Sequence, residues 1–223
     1  MEIKNNILKS YLRNVFFING TAYAGKSTMC AMLAERYNLV HCGENYCADQ
    51  FLAIATAKDQ PNMTYFKTHN DWQQFLNRTP EEYAAWIDGN SKEMAAFEIA
   101  ELIRISANQK VIVDTNVPID MLQEIADYHQ VAIMVAPQSM SVNSFFDRQD
   151  PEKQFLVSQI QHTENPEKTM ANFKACLAMI NSPKVYDECA NSGFYVIVRK
   201  DATTDTREET LEKLAVHFGL TEG

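Results

Sequence analysis

Apolar positions along this chain fall into two kinds of run. Five are short and continuous: Val15 to Asn19, Leu39 to Cys42, Val111 to Asp114, Val131 to Val135 and Phe194 to Val198. Continuous rather than alternating apolar runs mark strands buried on both faces. Between them the apolar spacing turns helical. Met29, Met32, Leu33 and Tyr37 share one face, as do Ile119, Leu122 and Ile125, then Met170, Phe173, Leu177 and Ile180, and finally Leu211, Leu214, Ala215 and Phe218. Helix starts are signalled by Asp71, by the capping box Thr79-Pro80-Glu81-Glu82, by Pro118, by Asn165-Pro166 and by Thr206 to Glu209, and Gly219 closes the last helix. A short helix is expected over Ser141 to Asp147. Strands alternating with helices predict an α/β three-layer sandwich around a five-stranded parallel sheet.

Two segments interrupt the alternation. Residues 43–109 are too long for one crossover helix and carry at least two capped helices. They read as a helical insertion over the C-terminal edge of the sheet, where open α/β sheets bind ligands. Residues 148–162 form a second such segment. No repeat, low-complexity tract or linker is visible, so one domain spanning 1–223 is expected, with its core in 14–42 and 110–223.

Composition narrows the classes. Hydrophobic residues make up 46%, enough for a sizeable core, and the net charge is −9. An acidic chain without a Lys/Arg run is a poor nucleic-acid binder, because that affinity comes from neutralising phosphates. The five cysteines, Cys30, Cys42, Cys47, Cys176 and Cys189, are odd in number and scattered, which argues against a disulfide framework. Cys42, Cys47, His41 and Glu44 raise the thought of a metal, but no second ligand pair at zinc spacing accompanies them. No signal-peptide pattern opens the chain and no run is long enough to span a membrane, so a soluble cytoplasmic protein is expected.

The chemistry concentrates after the first strand. Gly20-Thr21-Ala22-Tyr23-Ala24-Gly25-Lys26-Ser27 fits G-x4-G-K-[ST], and Thr28 continues it. It follows an apolar strand and precedes an amphipathic helix, which is the context this phosphate loop requires. The glycines allow backbone conformations closed to other residues, so amides can turn inward around phosphate oxygens at a positive helix end. Lys26 can bridge the β- and γ-phosphates, and Ser27 can ligate Mg²⁺. Ala24 and the bulky Tyr23 must point away from the phosphates. Asp114, ending a strand, suits a Mg²⁺ carboxylate; the alternative is a cap for the stretch beginning near Pro118. Glu44 and Asp49 follow the second strand, where either could take an acceptor hydroxyl's proton, or be an ordinary solvated acid. Arg148 and Lys153 could fold over a triphosphate and meet transition-state charge. Arg78 and Arg104 could hold an anionic acceptor, although a solvated face suits them better.

This order of parts resembles the P-loop kinase superfamily that includes nucleoside monophosphate kinases, shikimate kinase and gluconate kinase, and the loop Asn19 to Thr28 is also similar to that of chloramphenicol phosphotransferase. The resemblance implies an acceptor-binding insertion between the second and third strands, here 43–109, and an arginine-bearing lid between the fourth and fifth, here 148–162. It implies that Arg199 to Thr204 is the adenine-contacting loop, with Asp201 and Ala202 near the base. The chain departs from the pattern in lacking Asp-x-Asp after the second strand, a Gly-rich run after Asp114, and a second lid arginine near Arg148.

The expected function is therefore ATP- and Mg²⁺-dependent transfer of the γ-phosphoryl group to a hydroxyl or phosphate of a small molecule, with no nucleic-acid or membrane partner. The alternative is a nucleotide-binding switch or scaffold. Tyr65, Phe66, Trp72, Phe75, Tyr83 and Trp86 could line an acceptor pocket in the first case or present a binding surface in the second, and most of them read as core. No Asn-Lys-x-Asp guanine motif occurs, which disfavours a Ras-like switch.

Overall fold

A computed structural model describes residues 3–69, 71–147 and 151–221. In chain order it runs α1 (Asn5–Tyr11), β1 (Val15–Gly20), α2 (Lys26–Tyr37), β2 (Val40–Cys42), α3 (Ala48–Ile54), α4 (Tyr65–Thr68), α5 (Trp72–Leu76), α6 (Pro80–Ile105), β3 (Val111–Asp114) and α7 (Ile119–Ile125). There follow β4 (Val131–Val135), α8 (Gln138–Ser144), α9 (Pro151–Gln161), α10 (Pro166–Ile180), α11 (Pro183–Ala190), β5 (Tyr195–Val198) and α12 (Arg207–His217). The five strands form one parallel sheet in the order β2-β3-β1-β4-β5. β1 lies at the centre, flanked by β3 and β4, so the chain leaving it emerges where the strand order switches direction. In open α/β sheets that point carries the ligand crevice.

The strands are apolar throughout because both sheet faces are covered. Phe16, Ile18, Ile112, Ala132 and Met134 pack under α2 and α12 with Leu33, Leu211 and Leu214. Val15, Phe17, Val113, Ile133 and Val135 pack on the other face against Ala95 and Leu102 of α6 and Leu122 of α7. Side-chain alternation along β3 thus sends Asp114 toward α2 and its successor Thr115 toward α6.

Local signals place the helices. Asp71 accepts from the Gln74 amide at 3.1 Å, Asn165 from the Lys168 amide at 3.0 Å, and Thr79 and Glu82 complete the reciprocal box that starts α6. Thr206 makes no side-chain cap to α12; Asp205 takes the Arg207 amide at 3.1 Å instead. The helix expected over Ser141 to Asp147 begins earlier, at Gln138, and ends in a 3₁₀ turn at Phe145–Asp147. Pro137, with φ −56°, is set for the residue before a helix and starts it.

Four helices, α3 to α6, occupy the 43–109 segment. α6 organises them. The Glu93 carboxylate accepts from the Asn62 and Met63 amides at 3.2 and 2.8 Å, and the Trp86 indole donates to the Asn62 carbonyl at 3.1 Å. Tyr65, Phe75 and Tyr83 of the insertion are buried with Ile160 of α9 and Phe173 and Leu177 of α10, and Phe66, Trp72 and Trp86 pack against them partly exposed. Arg78 lies over the Tyr65 and Phe75 rings at 4.3 and 4.7 Å, and Lys153 stands 5.0 Å over Phe145. The insertion and the segment expected as a lid therefore share one hydrophobic cluster. Among the described residues no helix is long and apolar enough to cross a membrane, and the five cysteines are free thiols.

Candidate functional site

The site begins with a close approach of two strand ends. Gly20, at φ +130°, lies so near β4 that an added Cβ would stand 1.8 Å from the Met134 carbonyl oxygen. The Thr21 amide then donates to that carbonyl at 3.0 Å, and the Thr21 hydroxyl accepts from the Ala136 amide at 2.8 Å. Asn19 accepts from the Gly20 amide and donates to the Val117 carbonyl at 2.7 Å, bracing the loop against the exit from β3. Ala24 turns its methyl group into the core beneath α2. Tyr23 takes a left-handed backbone at φ 65°, unusual for a bulky residue. The Arg199 guanidinium, beyond β5, donates to the Tyr23 carbonyl at 3.0 Å and holds it there.

The loop ends at Gly25, φ +95°, which precedes α2 and cannot cap it. No side chain caps this helix, and no acidic residue lies in its first turn. By contrast Glu81 and Glu82 open α6, and Glu208 and Glu209 open α12. A helix start with free amides and without its own counter-charge attracts an external anion. The Lys26 ammonium is folded back onto the loop, donating to the Gly20 and Thr21 carbonyls at 3.3 and 3.2 Å.

Across the crevice, the Ser27 hydroxyl donates to one Asp114 oxygen, Oδ2, at 2.5 Å. Asp114 is 2% exposed, yet its Oδ1 has no partner among the described residues. Burial raises its pKa, while the Lys26 charge and the Ser27 hydrogen bond pull it back and Glu44 pushes it up. A buried carboxylate oxygen without a donor, beside a serine hydroxyl, could serve Mg²⁺, which takes one or two carboxylates and fills the rest of its octahedron with phosphate oxygens and water. No group of three or more His, Cys, Asp or Glu side chains comes together among the described residues, this site included.

Glu44 stands at the same edge, exposed, with Oε1 accepting from Asn116 Nδ2 at 3.1 Å. Asp49 is exposed in the first turn of α3, on a shallow concavity of about 450 Å³ formed by residues 44–50. Arg148 lies outside the described residues.

Two further hollows are formed by the described residues, the first of them bordering the loop. The first, about 330 Å³, runs between Gly25, Thr28 and Met29 on one side and Arg199, Ala202 and Thr206 on the other, over a floor of Met134 and Ile197. Ala202 lines it. Asp201 does not: its carboxylate is used within its own turn, accepting from the Thr203 and Thr204 amides at 2.9 and 2.7 Å. Those bonds, the Thr204 amide first, lower its pKa to about 2. The second hollow is a groove of about 1220 Å³ between α6, α7 and α11, with Ile87, Ile119 and Val185 on its walls and Asn116 at its end. Cys189 also lines it; burial raises that thiol's pKa, and the Lys26 charge lies near enough to oppose the rise.

One residue at this edge escapes sequence reasoning. Glu98 of α6 is 9% exposed, lies near Thr115, and has an Oε1 without a partner among the described residues. The signal is spacing: Ser91, Ala95, Glu98 and Leu102 share one helical face, and Ala95 and Leu102 are core.

No protein-family model and no curated protein matches the chain.

Proposed function

We propose that the protein is a P-loop phosphotransferase that moves the γ-phosphoryl group of ATP to a small-molecule acceptor. One observation carries this reading: the Ser27 hydroxyl and the buried, half-satisfied Asp114 carboxylate meet at 2.5 Å beside the uncapped start of α2. A carboxylate in that position costs stability unless something occupies its free oxygen. Ser27 and Asp114 would hold Mg²⁺, which when bound neutralises charge on the β- and γ-phosphates.

The chain's own groups divide the remaining work. Loop amides and the α2 terminus receive the phosphates. Lys26 exchanges two neutral loop carbonyls for phosphate oxygens, a stronger charged contact. The smaller hollow is of a size for a purine, with Met29 and Met134 as apolar contacts and Arg199 on its wall. The groove that Asn116 lines would receive the acceptor. For the scaffold alternative, Tyr65, Phe75 and Tyr83 are buried, while Phe66, Trp72 and Trp86 are partly buried against them.

Calorimetry with ATP and Mg²⁺ tests the reading. Lys26→Ala should weaken binding about tenfold or more, one charged contact being worth about 1.5–3 kcal/mol. Unchanged affinity in a folded variant overturns the assignment. A thermal-shift panel of nucleosides, sugars, hydroxy acids and antibiotics with ATP-Mg²⁺ then ranks acceptors by mass action.

A further inference from the structure

A loop that receives phosphates must turn its amides inward before the anion arrives, and one peptide of this loop follows a residue held in an unfavourable conformation. Tyr23 stands at φ 65°, in the left-handed region. Without a restraint such a residue relaxes toward the right-handed or extended regions, and the peptide after it turns as well. The restraint comes from beyond the edge strand β5. Arg199 Nη1 donates to the Tyr23 carbonyl at 3.0 Å, across 176 positions of sequence.

Two further bonds fix Arg199 itself. Its amide donates to the Val135 carbonyl at 2.8 Å, which extends the pairing of β5 with β4. Its Nε donates to the Asp201 carbonyl at 3.1 Å. The side chain is rooted in the sheet, tied to the turn beside the smaller hollow, and presented to Tyr23. A planar guanidinium serves two carbonyls at once in a fixed fork, which an ammonium on a flexible stem does not reproduce.

The direction of the next amide follows. No described peptide is cis, and in a trans peptide the carbonyl and the following N–H point in opposite directions. Because the Tyr23 carbonyl is turned to Arg199, the Ala24 N–H is turned away from it. Ala24 is 2% exposed, and among the described residues its amide donates to nothing; nor do the amides of Ala22 and Gly25. A buried amide without a partner costs stability until an acceptor reaches it. Successive free amides around a left-handed residue form a concavity that suits an anion.

We propose that Arg199 is a positioning residue of the phosphate site: by drawing the Tyr23 carbonyl outward it turns the Ala24 amide toward the phosphates of the bound nucleotide. This rests on the phosphotransferase reading above and deepens it. Arg199 also lines the smaller hollow, yet its effect is on the phosphate end of the ligand and acts through Tyr23.

Inorganic tripolyphosphate carries the phosphates without the base, so it separates this role from a contact with the base. Calorimetry with Mg²⁺ measures the affinity of tripolyphosphate and of ATP for the wild type, Arg199→Ala and Arg199→Lys. Arg199→Ala should weaken both by the same factor, about three- to tenfold, in line with one lost contact. Arg199→Lys, which keeps a donor for one carbonyl, should lose less for both. A loss for ATP with tripolyphosphate unchanged makes Arg199 a wall of the base hollow alone and overturns the proposal, as does no loss for either. The amide NMR signal of Ala24 should shift on saturation with tripolyphosphate in the wild type and shift less in Arg199→Ala. An Ala24 signal that ignores tripolyphosphate in the wild type, or responds equally in the saturated variant, also overturns it. Should Arg199→Ala fail to fold, Arg199→Met, which keeps an unbranched stem and loses every donor, carries the same comparison. A wild type that binds neither probe instead removes the phosphotransferase reading.

Discussion

Replacing Ser27 with Ala removes one hydroxyl and leaves Asp114, 2% exposed, without its donor. A hydrogen bond to a charged group is worth about 1.5–3 kcal/mol. Ser27 itself is exposed, so water can take over part of its role. The expected loss of stability near neutral pH is therefore about 1–2 kcal/mol, or roughly 2–8 °C in melting temperature for a chain of this size. The pH dependence gives the loss a signature. Burial raises the Asp114 pKa above its ordinary 3.8, and the Ser27 hydrogen bond holds that rise down. An acid whose folded pKa is raised contributes stability at low pH that is lost as pH rises through the folded value. Without Ser27 the folded pKa rises further. The deficit of Ser27→Ala against the wild type is then greatest where the wild-type carboxylate is ionised, and it shrinks as protonation removes the charge that needed the donor. Urea denaturation of both proteins between about pH 8 and about pH 4.5 reads this difference directly, with other titrating groups cancelling in the comparison. A deficit that is absent at neutral pH, or constant across the range, refutes the 2.5 Å bond as a feature of the folded protein and with it the argument for a metal-ready carboxylate.

Two other perturbations probe the parts around this pair. Gly20→Ala places a Cβ against the Met134 backbone at a φ of +130°, so neither side can give way; melting should show destabilisation beyond about 4 kcal/mol or outright misfolding, and a variant as stable as the wild type refutes the close approach of β1 and β4. Arg199→Ala removes the 3.0 Å bond that holds Tyr23 and one wall of the smaller hollow; ATP affinity measured by calorimetry should fall by about three- to tenfold, in line with one lost side-chain contact, whereas unchanged affinity places the base elsewhere.

How much of this was legible beforehand differs by element. The strands are set by continuous apolar runs, and the sequence positions of β1, β3 and β4 follow from residues 15–19, 111–114 and 131–135 with little error. The box Thr79-Pro80-Glu81-Glu82 fixes the start of α6, because a cap is satisfied by residues three positions apart. The loop between β1 and α2 is equally local: its glycine positions, the strand before and the helix after are neighbours in the chain. These features need no knowledge of what packs against them.

The remainder was decided by contacts between residues far apart in the chain. The strand order β2-β3-β1-β4-β5 has no local signature, yet it puts β1 at the switch point and Asp114 beside Ser27, 87 positions away. Gly20 is required by the Met134 carbonyl on β4, a strand the loop's own sequence cannot foresee. The insertion and α9 share one hydrophobic core although about forty residues separate them in the chain. Carboxylates show the division most clearly. Twenty-nine acidic residues look alike in a sequence, and Glu44 and Asp49 drew attention because they follow a strand. Folding left those two in solvent and buried Glu98, because burial depends on which helix face meets the sheet. Sequence sets what each segment forms; the tertiary structure decides which side chains lose water, and an ionisable group acquires its chemistry from that loss.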